Sequence, residues 1–156
     1  HGWMHQMTCP RELRFRDGRL WQTPARELAA LREDEQHWQG RASDAPELDA
    51  TRLEFELSAS QVNVDFGGAL RLMVDEQGIR LERASLKTGE TLTRYWQGDV
   101  THLRVLCDRS SVEIFINHGE GVMSSRYFPD HPARVRFEGE SVITLRYWSL
   151  RACMIE

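Results

Sequence analysis

The sequence predicts an all-β domain, either a β-sandwich or a barrel. Three observations carry this prediction: many short stretches alternate apolar and polar residues, turn-forming residues separate them at regular intervals, and only one stretch has the spacing of a helix. Short, evenly spaced strands joined by tight turns are typical of sandwiches and barrels. With 156 residues, the chain is long enough for one domain with its own apolar core.

The clearest strand pattern is RLEFEL, in which Leu53, Phe55 and Leu57 face one side and charged residues face the other. This alternation predicts a half-buried antiparallel strand. Comparable stretches follow along the chain: QVNVDF, LRLMVD, IRLER, HLRVLCD, SVEIFIN, VMSSRYF, ARVRFEG and VITLRYWSL. The segments EQG, KTGE, NHGEG and PDHP lie between them and predict turns.

The amino-terminal part of the chain predicts a β-hairpin. In ELRFRDGRLWQTP, Leu13 and Phe15 alternate with arginines, Asp17-Gly18 forms a turn signal, and the apolar pattern resumes at Leu20. A hairpin set apart from a strand-rich block is typical of the end of one domain joined to another.

The stretch TPARELAALREDEQ predicts a short helix, with Thr23 as its N-cap, Pro24 in the first turn and Leu28 and Leu31 three residues apart. We therefore expect three units. Residues 1–24 close one domain, residues 25–39 form a partly helical linker, and residues 40–156 form the strand-rich domain, with the boundary in the region 27–40.

Composition places the chain among soluble globular proteins, with 40% hydrophobic residues, 28% charged residues and a net charge of −4. The arginines are scattered singly, which argues against nucleic acid as a partner, and no apolar run is long enough to span a membrane. Three widely spaced cysteines, Cys9, Cys107 and Cys153, suggest neither a disulfide framework nor a zinc site. We expect reduced thiols in a cytoplasm. Since the chain begins with HGWMHQMTCP, without Met or a signal peptide, we also expect further sequence upstream.

Residues 108–129, DRSSVEIFINHGEGVMSSRYFP, contain residue types that are used in several kinds of catalytic site. A Ser/His/Asp triad would need members that converge from separate elements, and no G-x-S-x-G turn is present. A glycosidase would need two carboxyl groups across a cleft, for which Asp108, Glu113 and Glu120 are the candidates. Among them Glu113 stands out because it lies in the middle of a strand. The hairpin interpretation accounts for every polar residue, and we favour it.

Histidines and tryptophans are the other candidate functional residues. His1 and His5 are the only close histidine pair, and no third ligand follows at a metal-binding spacing. Aromatic side chains on a β-sandwich can stack on sugar rings, but more often they fill a core or an interface. The tryptophans concerned are Trp3, Trp21, Trp38, Trp96 and Trp148.

Two stretches together carry a family resemblance. GWMHQMTCPRELRFRDGRLWQTP, followed much later by DRSSVEIFINHGEGVMSSRYFP, resembles the carboxyl-terminal part of glycoside hydrolase family 32. Within that family the chain is most similar to the bacterial sucrose-6-phosphate hydrolases and cytoplasmic invertases, which are β-fructofuranosidases. The resemblance implies a five-bladed propeller upstream, whose last blade ends within residues 1–24, followed by a two-sheet antiparallel β-sandwich of the lectin-like jelly-roll type.

The family's retaining hydrolysis uses an aspartate nucleophile, a glutamate acid/base and a further aspartate, in N-D-P-N-G-like, E-C-P and R-D-P motifs. This sequence has Thr8 where the glutamate would precede Cys9, and RDG at residues 16–18 in place of R-D-P. The resemblance therefore implies a chain without catalytic, cofactor-binding or metal-binding residues, inactive alone.

The expected role is support of stability and assembly in a cytoplasmic parent enzyme. The expected partners are the upstream propeller and a second copy in a homodimer, and sucrose or sucrose 6-phosphate is bound only through the parent. The alternative is an autonomous lectin-like carbohydrate-binding module.

Overall fold

Three antiparallel sheets make up most of the described chain. The computed structural model describes residues 7–85, 87–129 and 133–152. The smallest sheet is a hairpin of β1 (Arg11–Arg16) and β2 (Arg19–Pro24). The predicted hairpin is confirmed, and both residues of its turn, Asp17 and Gly18, have the positive φ that a type I′ turn requires.

Two six-stranded sheets form the rest. In chain order their strands are β3 (Arg32–Arg41), β4 (Leu48–Asp49), β5 (Arg52–Ser58), β6 (Val62–Phe66), β7 (Leu70–Asp75), β8 (Gly78–Ala84), β9 (Thr91–Gln97), β10 (Leu103–Asp108), β11 (Ser111–Ile116), β12 (Gly121–Arg126), β13 (Arg134–Glu138) and β14 (Val142–Leu150). Sheet I has the order β12-β11-β10-β5-β14-β3, and sheet II has the order β4-β13-β6-β7-β8-β9. The predicted two-sheet β-sandwich is confirmed.

The apolar core lies between the inner faces of sheets I and II. Leu53, Phe55 and Leu57 on β5 are all buried there, as their alternation predicts. The rings of Phe55 and Phe137, one from each sheet, meet edge to face with centroids 5.6 Å apart. Such contacts between alternate residues fix the register of each strand.

The predicted helix is largely wrong. In the stretch predicted as a helix, helical structure is limited to a 3-10 helix at Arg26–Leu31, whose N-cap is Ala25, and Thr23 and Pro24 belong to β2. The following residues form β3, an edge strand that pairs antiparallel with β14. Eight of the ten residues of β3 pair with β14, so tertiary contact overrides the weak local preference for a helix. Two further 3-10 turns lie at Ala42–Asp44 and Asn117–Gly119.

Sheet I also buries side chains on the face that points away from the core. Phe115 and Trp148 are both almost fully buried there, outside the cluster between the sheets. The guanidinium of Arg11, from the hairpin, lies 5.4 Å from the ring centroid of Phe115. That of Arg32, which follows the 3-10 helix, lies 3.8 Å from Trp148. The hairpin and the start of β3 therefore cover this outer face. Within the described residues, no helix is long and apolar enough to cross a membrane.

Candidate functional site at the hairpin contact

Glu113, the mid-strand carboxylate singled out by the sequence, anchors the hairpin. Its side chain is only 11% exposed, on the outer face of β11. Arg11 on β1 donates to Glu113 Oε2 at 2.6 Å and to the hydroxyl of Ser124 at 3.0 Å. The backbone N–H of Cys9 donates to Glu113 Oε1 at 2.6 Å. Both carboxylate oxygens are thus committed to the segment that precedes and begins the hairpin.

Glu120 makes a second contact to the hairpin. It accepts from Arg19, at the start of β2, at 3.0 Å, and from the side-chain amide of Asn117 at 3.0 Å. Asp108 lies at the end of β10 and accepts from the backbone N–H of Arg109 at 2.8 Å. Glu113 and Glu120 are thus each paired with an arginine of the hairpin, and Asp108 bonds within its own turn.

The turn between β11 and β12 is shaped to receive β2. Gly119 has a φ of +106°, and a Cβ there would lie 2.5 Å from the carbonyl oxygen of Gln22. Only glycine allows both this backbone conformation and this approach. Asn117 holds the turn from the other side, since its side chain accepts from the N–H of Thr101 at 3.0 Å and donates to the carbonyl of Asp99 at 2.7 Å. The NHGEG segment, residues 117–121, is thus the surface against which the hairpin packs, and we call it the seat of the hairpin.

A second buried cluster, which sequence reasoning missed, lies on the same face of sheet I. Glu54 on β5 is fully buried, between Arg32 on β3 and Arg104 on β10. Arg104 donates to Glu54 Oε1 at 2.6 Å, and Arg32 donates through Nε to Oε2 at 3.0 Å. Hydrogen bonding to Glu54 raises the pKa of Arg32 above its ordinary value. The RLEFEL alternation placed Glu54 on the outer face, but nothing local indicated that this face is covered.

Trp148 extends this cluster towards the sheet edge. The guanidinium groups of Arg32 and Arg146 lie 3.8 Å and 4.7 Å from the centroid of its ring, and its Nε1 donates to Glu35 at 2.9 Å. Hydrogen bonds from Arg146, then Trp148 and His37, lower the pKa of Glu35 to about 2. Both distances are within the range of about 6 Å over which a guanidinium is attracted to a tryptophan ring.

The described tryptophans serve packing. Trp38 lies over Gly40 on its own strand, Trp96 packs against Gly98 and Gly121, and Trp21 is half-buried with Arg16 5.5 Å from its ring centroid. Trp3, His1, His5 and Cys153 lie outside the described residues.

The two described cysteines are free thiols. Burial, then the charge of Glu113, raises the pKa of Cys9 to about 12, and burial in the core raises the pKa of Cys107. Reactive cysteines have lowered pKa values, so neither thiol is placed as a nucleophile.

Residues 27–149 match the family described as Glycosyl hydrolases family 32 C terminal. The match runs from the 3-10 helix to the end of β14 and covers most of the chain. This chain belongs to that family. The resemblance carried by the two sequence stretches is confirmed.

Curated relatives of this family 32 domain are about three times as long as the chain. The chain is 49% identical to the sucrose-6-phosphate hydrolase of Klebsiella pneumoniae over 156 residues, which cover 99% of this chain and 33% of the relative. It is also 49% identical to the sucrose-6-phosphate hydrolase of Salmonella typhimurium, covering all of this chain and 33% of the relative. The chain thus spans about a third of the length of the curated relatives it matches.

Solved structures share the fold of this family 32 domain. The sucrose-6-phosphate hydrolase of Lactobacillus gasseri matches with a TM-score of 0.74 and 21% identity, over 92% of this chain and 33% of that one. The Bombyx mori family 32 β-fructofuranosidase BmSUC1 matches with a TM-score of 0.72 and 22% identity, over 92% and 32%. At these identities the likeness shows the fold alone.

Proposed function

We propose that this chain is the non-catalytic carboxyl-terminal module of a β-fructofuranosidase of the sucrose-6-phosphate hydrolase type, and that it stabilises and seats the upstream catalytic domain. The observation that carries the proposal is the hairpin. One part of it is clamped to the sandwich by Glu113, Glu120 and the glycine turn, while another part presents apolar side chains to solvent.

The open part of the hairpin is strongly apolar. Phe15 is 79% exposed, Leu13 62% and Leu20 51%, and the pairing of Phe15 with Leu20 places these three side chains on one face. An isolated two-stranded sheet is marginally stable in water, and its open edges invite further strands. A hairpin fixed to one domain with an unfilled apolar face is suited to complete a second domain. The upstream two thirds of the relatives' length would supply that domain.

The three carboxylates of residues 108–129 do not form a pair suited to catalysis. Glu113 and Glu120 are held in ion pairs with Arg11 and Arg19, and Asp108 caps its own turn. Two-step hydrolysis of a fructoside requires a free nucleophile opposite a proton donor. We therefore assign hydrolysis of sucrose or sucrose 6-phosphate to the joined parent. We place that parent in the cytoplasm, where the free thiols of Cys9 and Cys107 would stay reduced. A homodimer of the parent stays a prediction.

The test compares two proteins: the 156-residue chain, and the same chain joined to the upstream part of the Klebsiella pneumoniae relative. Reducing-sugar release from sucrose and sucrose 6-phosphate is measured for both. We expect hydrolysis by the joined protein alone. Activity of the 156-residue chain by itself would refute the proposal.

A variant pair tests the seating role. Phe15→Asp and Leu20→Asp place charges on the open face of the hairpin and should lower the melting temperature and activity of the joined protein. Tyr95→Asp is the matched control, since Tyr95 is 69% exposed on β9 of sheet II, whereas the hairpin is anchored to sheet I. Equal effects of all three substitutions would contradict the seating role.

A further inference from the structure

We propose that the cleft between the β3 edge of sheet I and the β4 edge of sheet II binds a neutral sugar. The cleft has a volume of 510 Å³, within the range of about 300 to 1,000 Å³ typical of small-molecule sites. Residues of β3, β4, β5 and β14 line it. Sheet I contributes residues of β3, β5 and β14 to it, and sheet II contributes residues of β4.

The cleft lies far from the hairpin. In sheet I, β3 and β12 occupy opposite edges. Five strand spacings of about 4.8 Å separate them, or roughly 24 Å. The hairpin is anchored at β11, β12 and the turn between them. The upstream domain that the hairpin would complete is therefore attached near the opposite edge from this cleft.

A β-bulge shapes the rim of the cleft. The pairing of β14 with β3 shifts between Tyr147 and Ser149, and Asp34 has a φ of +53° at this point. The hydroxyl of Ser149 contacts the carboxylate of Asp34 at 3.3 Å. A bulge redirects the side chains of an edge strand, and bulges are frequent next to binding sites. Here it places Asp34 among the lining residues.

A sugar ring presents apolar C–H groups and polar hydroxyl groups, and the lining of the cleft suits both. Tyr147 supplies an aromatic wall and Leu150 an aliphatic surface, while Leu48 and Leu53 are buried in the core beneath them. C–H groups of a sugar pack against such surfaces. Around them stand hydrogen-bond acceptors on Asp34, Glu47 and Asp49, and donors on Gln36, Thr51 and Arg52. Sugar hydroxyls need both acceptors and donors.

Charge selects the ligand class. Three carboxylates of the cleft face the guanidinium of Arg52, and Arg136 pairs with one of them, so the cleft has no excess of positive charge to attract a phosphorylated sugar. Glu47 is paired with Arg136 at 2.7 Å, and Asp49 accepts from the N–H of Thr51 at 2.8 Å, which orients its carboxylate. In the described part of the chain no group of three acidic, histidine or cysteine side chains is arranged to hold a metal ion. A neutral, hydroxyl-rich ligand remains the best match.

The test uses the 156-residue chain, so its outcome is independent of whether the parent hydrolyses sucrose. Chemical-shift changes in ¹H–¹⁵N spectra are followed during titration with fructose, sucrose and sucrose 6-phosphate. We expect saturable shifts with at least one of the two neutral sugars, centred on β3, β4 and the end of β14, and weaker binding of sucrose 6-phosphate.

Variants locate the site. Tyr147→Ala should weaken binding at least about tenfold, as loss of an aromatic contact would do, while Tyr147→Phe retains most of it. Gln36→Ala, on an exposed side chain, weakens binding without touching the core. Tyr95→Ala removes an exposed tyrosine elsewhere and should change nothing. Absence of saturable shifts with both neutral sugars, shifts insensitive to Tyr147→Ala and Gln36→Ala, or equal binding of sucrose 6-phosphate would each overturn the proposal.

Discussion

Glu54 and Glu113 lie on the same face of the same sheet, yet they hold different parts of the molecule together. Glu54 is fully buried, and its two arginine partners come from β3 and β10, which are both strands of the sandwich. Glu113 is slightly exposed, and its arginine comes from the hairpin. A carboxylate on the outer face of a sheet thus secures either the domain itself or an added element, depending on which segment supplies its partner.

The largest effect should come from Glu54→Gln. Removing one member of a buried ion cluster leaves the other charges uncompensated, which typically costs about 3 to 5 kcal/mol. We expect the free energy of unfolding, measured by urea denaturation, to fall by that amount. Glu140→Gln is the control, because the Glu140 side chain is 83% exposed. Equal unfolding curves for the two variants would show that Glu54 does not secure the sandwich.

Glu113→Gln should act on the hairpin alone. Losing a charge-assisted pair costs about 1.5 to 3 kcal/mol, and here that loss should appear as faster hydrogen exchange of the β1 and β2 amides. Alkylation of Cys9 at pH 8 gives a second readout. Burial and the charge of Glu113 raise the pKa of Cys9 to about 12, and the variant removes that charge and loosens the segment that buries the thiol. Cys9 should therefore react faster in the variant.

Arg19→Ala is the matched control for Glu113→Gln, because it breaks the hairpin's exposed pair with Glu120. Arg19 is 69% exposed, so its loss should cost less than about 1 kcal/mol. If both variants loosened the hairpin equally, burial would not distinguish the two anchors.

Gly119→Ala tests the shape of the seat rather than its charge. A left-handed backbone costs an alanine about 1 to 2 kcal/mol, and its Cβ would press on the carbonyl of Gln22. We expect faster hydrogen exchange in β2 with the Arg11 to Glu113 pair intact. Gly139→Ala is the control, since Gly139 also has a positive φ but its Cβ would meet open space. Unchanged exchange in β2 would mean that the turn does not seat the hairpin.

The smallest effect concerns pH. His102 stacks on His118 with ring centroids 4.1 Å apart, next to the turn that seats the hairpin. Burial, then the charge of His118, lowers the pKa of His102 below its ordinary value of 6.5. The unfolded chain therefore takes up this proton at a higher pH than the folded chain, so stability falls as the pH drops below about 6.5. The urea midpoint should be lower at pH 5.5 than at pH 7.5, and His102→Gln should reduce that difference. The same difference in the variant would exclude His102 as its source.

Some of the site was predictable. Glu113 stands out in the sequence because it lies in the middle of a strand, and the glycines of NHGEG predict a turn. Its partner Arg11 lies 102 residues away, and no local pattern connects the two. Glu54 gave less warning, since an alternating strand normally turns its charged side chains to water.

By itself, the sequence determined most of the strands, the hairpin and the family, because alternation, turn residues and motifs are local properties, but it did not indicate β3, β4 or β9. Tertiary structure decided the rest. It drew residues 32–41 into an edge strand, since β14 offered them backbone partners. It also covered the outer face of sheet I, where Glu54 and Glu113 became buried anchors. Burial and ion pairing depend on which distant segment covers a side chain, and the three-dimensional fold alone specifies that.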